Sequence, residues 1–141
     1  MSARRLAVVT GGAGFIGSHM VDLLLAEGFR VHVIDSLAGG RLDNLAQHQG
    51  HDRLVVDTRD IRDLAPGDAL FRGAHFVFHF AGIGDIVPSI DRPADYLSVN
   101  VMGTVKVLEA CRSARVAKLV YAASSSCYGL AGVPTPESAP I

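Results

Sequence analysis

A chain of 141 residues has room for one domain, and 49% hydrophobic against 19% charged residues places it with folded globular proteins rather than disordered or fibrous ones. Thirteen basic and fourteen acidic residues nearly cancel, to a net charge of −1 with no basic block, so the footprint of a nucleic-acid binder is missing and small-molecule partners are favoured. Every apolar stretch is interrupted by Gly, His or charge too early to cross a bilayer, so no membrane partner is expected.

In chain order, Arg4 and Arg5 followed by Leu6 to Val9 imitate the start of a signal peptide, but the run breaks at Thr10-Gly11-Gly12, far short of an apolar core. Leu6 to Thr10 is instead a buried strand: short, apolar, rich in β-branched residues and closed by glycines. From Phe15 to Glu27 apolar residues recur at helical spacing, and Gly28 ends the helix. Arg30 to Ile34 reads as a second strand, closed by Asp35 and the Gly39-Gly40 turn, with a short helix from about Leu42 to Gln47. Leu54 to Val56 and Phe76 to Phe80 read as the third and fourth strands, the latter followed by a glycine-containing loop at Ala81 to Gly84. Ala94 to Arg115 has the spacing of one long helix, Leu119 to Ala122 the pattern of a fifth strand, and Ser124 to Ile141 the Ser, Gly and Pro content of a loop.

Strands that alternate with helices imply parallel crossovers, so the expected fold class is α/β, a doubly wound parallel sheet, each strand buried on both faces. The only cysteines, Cys111 and Cys127, form no CxxC or Cys/His cluster. They fit buried or inert thiols in a reducing compartment, with no metal site, and the expected location is the cytoplasm.

Gly11, Gly14 and Gly17 have the GxxGxxG spacing of a dinucleotide fingerprint, directly after a strand and at the opening of a helix. The first glycine permits a tight turn, the second lets backbone approach a pyrophosphate, and the third lets helix pack on sheet. The helix then offers free N–H groups and its positive dipole end to the phosphates. Asp35, at the end of the second strand, is placed to accept hydrogen bonds from an adenosine ribose, and its charge repels a 2′-phosphate, favouring NAD over NADP. Asp also commonly starts a turn, and nearby Arg41 keeps NADP open.

The run Thr10 to His19 resembles the opening of the extended short-chain dehydrogenase/reductases, especially the nucleotide-sugar epimerases and dehydratases. Five further segments match in order: Asp35-Ser36-Leu37 with Gly40-Arg41 and Asn44-Leu45; Asp60-Ile61-Arg62-Asp63; Phe78-His79-Phe80-Ala81-Gly82; Pro93 with Tyr96, Asn100 and Gly103-Thr104; and Val120 to Gly129. The resemblance implies a Rossmann-like domain over residues 1–141. It implies that Phe15, Ile16 and Ser36 join the glycines and Asp35 around NAD. Asp60 and Ile61 would hold the adenine, Phe80, Ala81 and Gly82 would pass under the cofactor, and Asn100 would stand on the helix behind it. Taken singly, His79 reads as a core histidine and Asn100 as a cap or packing residue.

In this family a Tyr takes a proton from a sugar hydroxyl as hydride leaves for the nicotinamide, and a Lys four residues later lowers that Tyr's pKa from about 10. A Ser orients the hydroxyl. Counting back from Tyr128 as the family pattern does gives Ser124 as that residue, with Ser125 as the alternative. The Tyr-x-x-x-Lys pair is not among these residues: Lys106 and Lys118 are the only lysines, preceded four positions earlier by Met102 and Ala114. The family pattern puts the pair beyond Ile141. The chain therefore reads as an N-terminal piece truncated after the fifth strand, able to hold NAD but inactive alone.

Family dehydratases carry acids at the two positions after the hydroxyl residue, where this chain has Ser125 and Ser126, so the resemblance favours a 4-epimerase acting on a nucleotide sugar. A dehydratase or reductase of the same family, and a non-catalytic NAD(P)-binding sensor, are the alternatives. Some epimerases have a Lys at the position of Gly84. A sheet lacking its next helix leaves apolar surface bare, so a homo-oligomer or a marginally stable chain is expected.

Overall fold

The computed structural model describes residues 5–141; Arg4, half of the basic pair before the first strand, lies outside the described residues. Five strands form one parallel sheet: β1 Leu6–Thr10, β2 Arg30–Ile34, β3 Leu54–Asp57, β4 Ala74–His79 and β5 Lys118–Tyr121. Their spatial order is β3-β2-β1-β4-β5. The chain winds outward from β1 through β3 and then restarts with β4 on the other side of β1. The reversal opens a crevice at the carboxyl ends of β1 and β4, which is where open α/β sheets bind ligands.

Alternation along β1 builds two cores, because successive side chains point to opposite faces. Ala7 and Val9, with Val31 and Val33 of β2, pack against Val21, Leu24 and Leu25 of helix α1, Phe15–Ala26. Leu6, Val8, Ile34 and Val77 face the other way, onto Ile61, Leu64, Phe71 and the Val107, Ala110 and Cys111 side of a helix running to Ala114. Each fully buried Val, Leu or Ile contributes about 1.5–3 kcal/mol through the water it leaves. The sheet is covered on both faces at its centre, as a doubly wound, Rossmann-like fold requires.

Where sequence and structure differ, the causes are local. The stretch expected as one helix from Ala94 to Arg115 divides into α3 Pro93–Tyr96, a π-helical segment Leu97–Gly103 and α4 Thr104–Ala114. Ile86–Asp91, which lies between the expected loop at Ala81 to Gly84 and the expected helix from Ala94, is a further short helix, α2. Pro88 sits in its first turn, where no intrahelical N–H is lost, so proline does not prevent it. The expected helix near Leu42 is a 3₁₀ turn, Leu42–His48. Burial on both faces holds for β1 but not for the edge strands. Val55 and Val56 of β3 and Val120 and Tyr121 of β5 are exposed, because the covering helices stop short of both edges. Both thiols are free: Cys111 is buried and its thiol is pushed up to about 11 by loss of water, whereas Cys127 is exposed. No helix among the described residues is long and apolar enough to cross a membrane.

Candidate cofactor-binding site

The turn after β1 is built from contacts that only glycine allows. Gly11 has φ +69°, and a Cβ there would lie 2.7 Å from the Ala81 nitrogen and 2.8 Å from the Phe80 carbonyl carbon. Backbone therefore meets backbone where β1 and β4 end. A Cβ on Gly17 would run into the Gly11 carbonyl, so α1 rests directly on the turn. Gly14 is different: inside the protein its Cβ would meet only Gly11 O, at 3.2 Å. That contact is tight but leaves more room than at Gly11 or Gly17, and the Gly14 backbone borders the crevice.

Gly14 is also the N-cap of α1, in extended conformation. The first bond back along the helix is Ser18 N–H to Gly14 O, 3.0 Å, so the Phe15, Ile16 and Gly17 amides precede the helical ladder. No acidic side chain stands in the first turn. A helix mouth with free donors and no carboxylate of its own suits an anion.

Opposite this mouth Asp35 is buried. Its Oδ2 accepts from Ala13 N–H at 2.9 Å and its Oδ1 from Leu37 N–H at 2.8 Å. The carboxylate thus pins the glycine turn to the end of β2. The Ala13 carbonyl accepts from Arg41 N–H and from Asn44 Nδ2 at 2.9 and 2.8 Å, which tightens the same joint. At Gly40 a Cβ would lie 2.7 Å from both Asp35 oxygens, so this glycine leaves the acid its space.

On the other side, Asp60 accepts from Arg62 N–H at 2.8 Å and is paired with the Arg62 guanidinium at 2.7 and 3.0 Å. That guanidinium holds the Asp60 carboxyl below the usual carboxylate range. Ile61 beside it packs under Gly103, whose Cβ would come within 2.5 Å of Ile61 Cδ1. The loop after β4 is held by Asn100, whose side-chain amide donates to Ile83 O and accepts from Ile83 N–H, both at 2.8 Å.

These walls enclose a cavity of about 660 Å³, within the range of small-molecule sites. A model of the NAD dependent epimerase/dehydratase family matches residues 7–141. The chain belongs to that family. It is 41% identical over 138 residues to a UDP-glucose 4-epimerase of Mycolicibacterium smegmatis, covering 95% of this chain and 44% of that protein. Its fold superimposes with a TM-score of 0.87 on a UDP-N-acetylglucosamine 4-epimerase of Methanobrevibacter ruminantium M1, solved with UDP-N-acetylmuramic acid. That match is 32% identical and covers 98% of this chain and 44% of that one. The dTDP-glucose 4,6-dehydratase DesIV of Streptomyces venezuelae, solved with NAD and TYD bound, gives a TM-score of 0.85 at 35% identity, over 96% of this chain and 45% of that one. The chain thus spans less than half the length of these relatives.

Of the residues singled out in this epimerase/dehydratase sequence, Gly11, Gly14, Asp35, Ser36, Asp60, Ile61, Phe80, Ala81 and Gly82 line the one cavity. Gly17 lies behind the turn. The Phe15 and Ile16 side chains point away, 78% and 60% exposed, leaving only their backbone amides to offer the site. Asn100 is behind the wall and holds the loop from there. Ser124 lies apart on the exposed end after β5, where its Oγ accepts from Ser126 N–H at 3.1 Å. Sequence reading missed Gly40, Arg62, Arg92 and Tyr96, which also line the cavity. Gly40, Arg62 and Tyr96 stood inside recognised motifs, and Arg92 lies just after α2, which carried no clear periodic signal. Among the described residues no three His, Cys, Asp or Glu side chains are arranged to hold a metal ion.

Proposed function

We propose that this chain is the NAD-binding part of a nucleotide-sugar 4-epimerase of the UDP-glucose 4-epimerase type. The observation that carries the reading is the pairing across one cavity of an acid-free helix mouth, fit for a pyrophosphate, with the buried Asp35 carboxylate, fit for ribose hydroxyls. In this arrangement the Phe15, Ile16 and Gly17 amides grip the phosphates, and Gly14 keeps that approach open. Each Asp35 oxygen takes one backbone N–H and keeps capacity for a further donor, and the residue lines the cavity. Asp60 and Ile61 border the adenine end, Phe80, Ala81 and Gly82 the nicotinamide end, and Asn100 supports the latter from behind.

When bound, NAD supplies a reversible hydride acceptor for the sugar C4. Ser124 orients the C4 hydroxyl; the Tyr-x-x-x-Lys base is not among these residues, so this chain alone holds NAD without turnover. The likeness to DesIV favours a dehydratase as the second reading. Against it, Ser125 and Ser126 stand where that reaction wants acids, and a hydroxyl is a poor proton donor for a departing hydroxide. The partners in this reading are a nucleotide sugar and a second copy of the chain, in the cytoplasm.

Calorimetric titration with NAD and with NADP tests the reading. NAD is expected to bind at one site, NADP at least about tenfold more weakly because its phosphate meets the Asp35 charge, and Asp35→Ala to narrow that gap. Equal affinity of the unaltered chain for the two cofactors, or turnover of a UDP-sugar by this chain alone, would overturn it.

A further inference from the structure

Behind the cavity, a chain of hydrogen bonds links β1, β4 and α4 and meets the lining at Ala81. Thr10 Oγ1 lies 2.6 Å from His79 Nδ1, and His79 Nε2 lies 2.9 Å from Thr104 Oγ1. Thr104 Oγ1 donates to Asn100 O at 2.7 Å, and Ala81 N–H donates to Thr10 Oγ1 at 3.3 Å. A hydroxyl has a single proton. Because that of Thr104 goes to the Asn100 carbonyl, His79 Nε2 must be the donor to Thr104, and Nδ1 is left as an acceptor for the Thr10 proton. The chain then has one direction: Ala81 N–H to Thr10, Thr10 to His79, His79 to Thr104, Thr104 to Asn100. The Asn100 side chain in turn clasps Ile83.

We infer that His79, fixed as the neutral Nε2–H tautomer, is a positioning residue that locks the Ala81–Ile83 loop against the end of β1 and so sets cofactor affinity. The inference rests on the NAD reading above, and His79 itself contacts no ligand. The opposite tautomer would pull the Thr104 proton off the Asn100 carbonyl. A doubly protonated ring would present a donor to Thr10, which would have to turn its own proton elsewhere and loosen its hold on Ala81. Three elements pack around the ring: β1 through Thr10, α4 through Thr104, and β5 through Tyr121, stacked at 5.5 Å. Of these three contacting side chains, Tyr121 alone is ionisable; the charged residues of the same elements, Lys106, Glu109 and Arg112 of α4 and Lys118 of β5, make no hydrogen bond to the ring. Burial alone lowers the His79 pKa, to about 4, so the neutral ring persists through the neutral range.

The test uses three measurements on the 141-residue chain. Nitrogen NMR of the His79 ring reads the tautomer directly, and protonated Nε2 with unprotonated Nδ1 is expected from neutral pH down to about pH 5. Thr104→Val, which removes one hydroxyl outside the cavity lining, is expected to weaken NAD about fivefold to tenfold and to shift the Ala81 and Ile83 amide resonances. Thr104→Ser should restore both. Val107→Ala, a cavity mutation on the same helix, should lower the melting temperature without changing NAD affinity. An Nδ1–H or charged ring, unchanged affinity in Thr104→Val, or an equal loss in Val107→Ala would overturn the inference. Should Thr104→Val not fold, the ring tautomer and wild-type affinity of Thr104→Ser decide. Absence of NAD binding by the unaltered chain, by contrast, sinks the cofactor reading itself.

Discussion

Gly17 faces a carbonyl where any other residue would place a carbon, and this sets what position 17 tolerates. Alanine is a better helix former than glycine by about 1 kcal/mol, yet Gly17→Ala must push α1 off the turn. We expect a net loss of about 2–3 kcal/mol in urea unfolding, with weaker NAD binding; a gain in stability would show that the helix does not rest on Gly11 O. His79 gives the pH dependence. Its folded pKa of about 4 lies below its ordinary 6.5, so between those values the unfolded chain binds more protons. Stability contributed by the neutral ring is therefore full above pH 6.5 and falls as pH drops toward 4, by about 3 kcal/mol in all. Urea midpoints that stay flat from pH 7 to about pH 4 would contradict this. The sequence identified His79 as a core residue, but not its partners: Thr10 and Thr104 are 69 and 25 positions away, and only the sheet brings them together.

At the scale of elements, the π-helical segment Leu97–Gly103 reaches the site through Gly103, which presses on Ile61 rather than on ligand. In Gly103→Ala the gain in helix propensity and the displacement of Ile61 Cδ1 oppose each other, so stability should change by less than about 1 kcal/mol. Ile61 lines the cavity, and its shift should weaken NAD severalfold; unchanged affinity would remove Ile61 from the site. The central strands and α1 were legible because apolar runs, glycines and helical spacing agreed there. The crevice was legible for the same reason, through Gly11, Gly14 and Asp35. α2 was not, since Ile86, Val87 and Ile90 are all exposed and carry no buried stripe to read. The π-helical segment was hidden because Leu97 and Val101, which look like the buried side of a regular helix, both face solvent. Asp35 was read both as a ribose ligand and as the start of a turn, and its bond to Leu37 N–H is that turn; its grip on the Ala13 amide, 22 positions away, is what no local pattern encodes.

For the molecule as a whole, the centre of the sheet is well covered and its β5 edge is not. Val120 and Tyr121 of β5, with Leu97, Val101, Met102, Val105 and Leu108 on the neighbouring helical stretch, expose apolar surface to water. Surface of this kind drives association, so the chain should self-associate in sedimentation velocity, and charged substitutions at Val105 and Leu108 should reduce it. A monomer at high concentration that melts cooperatively would argue against that expectation. The central claim is narrower: amides at the mouth of α1 hold a dinucleotide whose ribose meets Asp35. A crystal structure of the chain with NAD tests it most directly. The account predicts pyrophosphate oxygens within hydrogen-bond reach of the Phe15, Ile16 or Gly17 amides and a ribose hydroxyl on Asp35. A cofactor bound elsewhere, with the glycine turn closed by protein side chains, would contradict it.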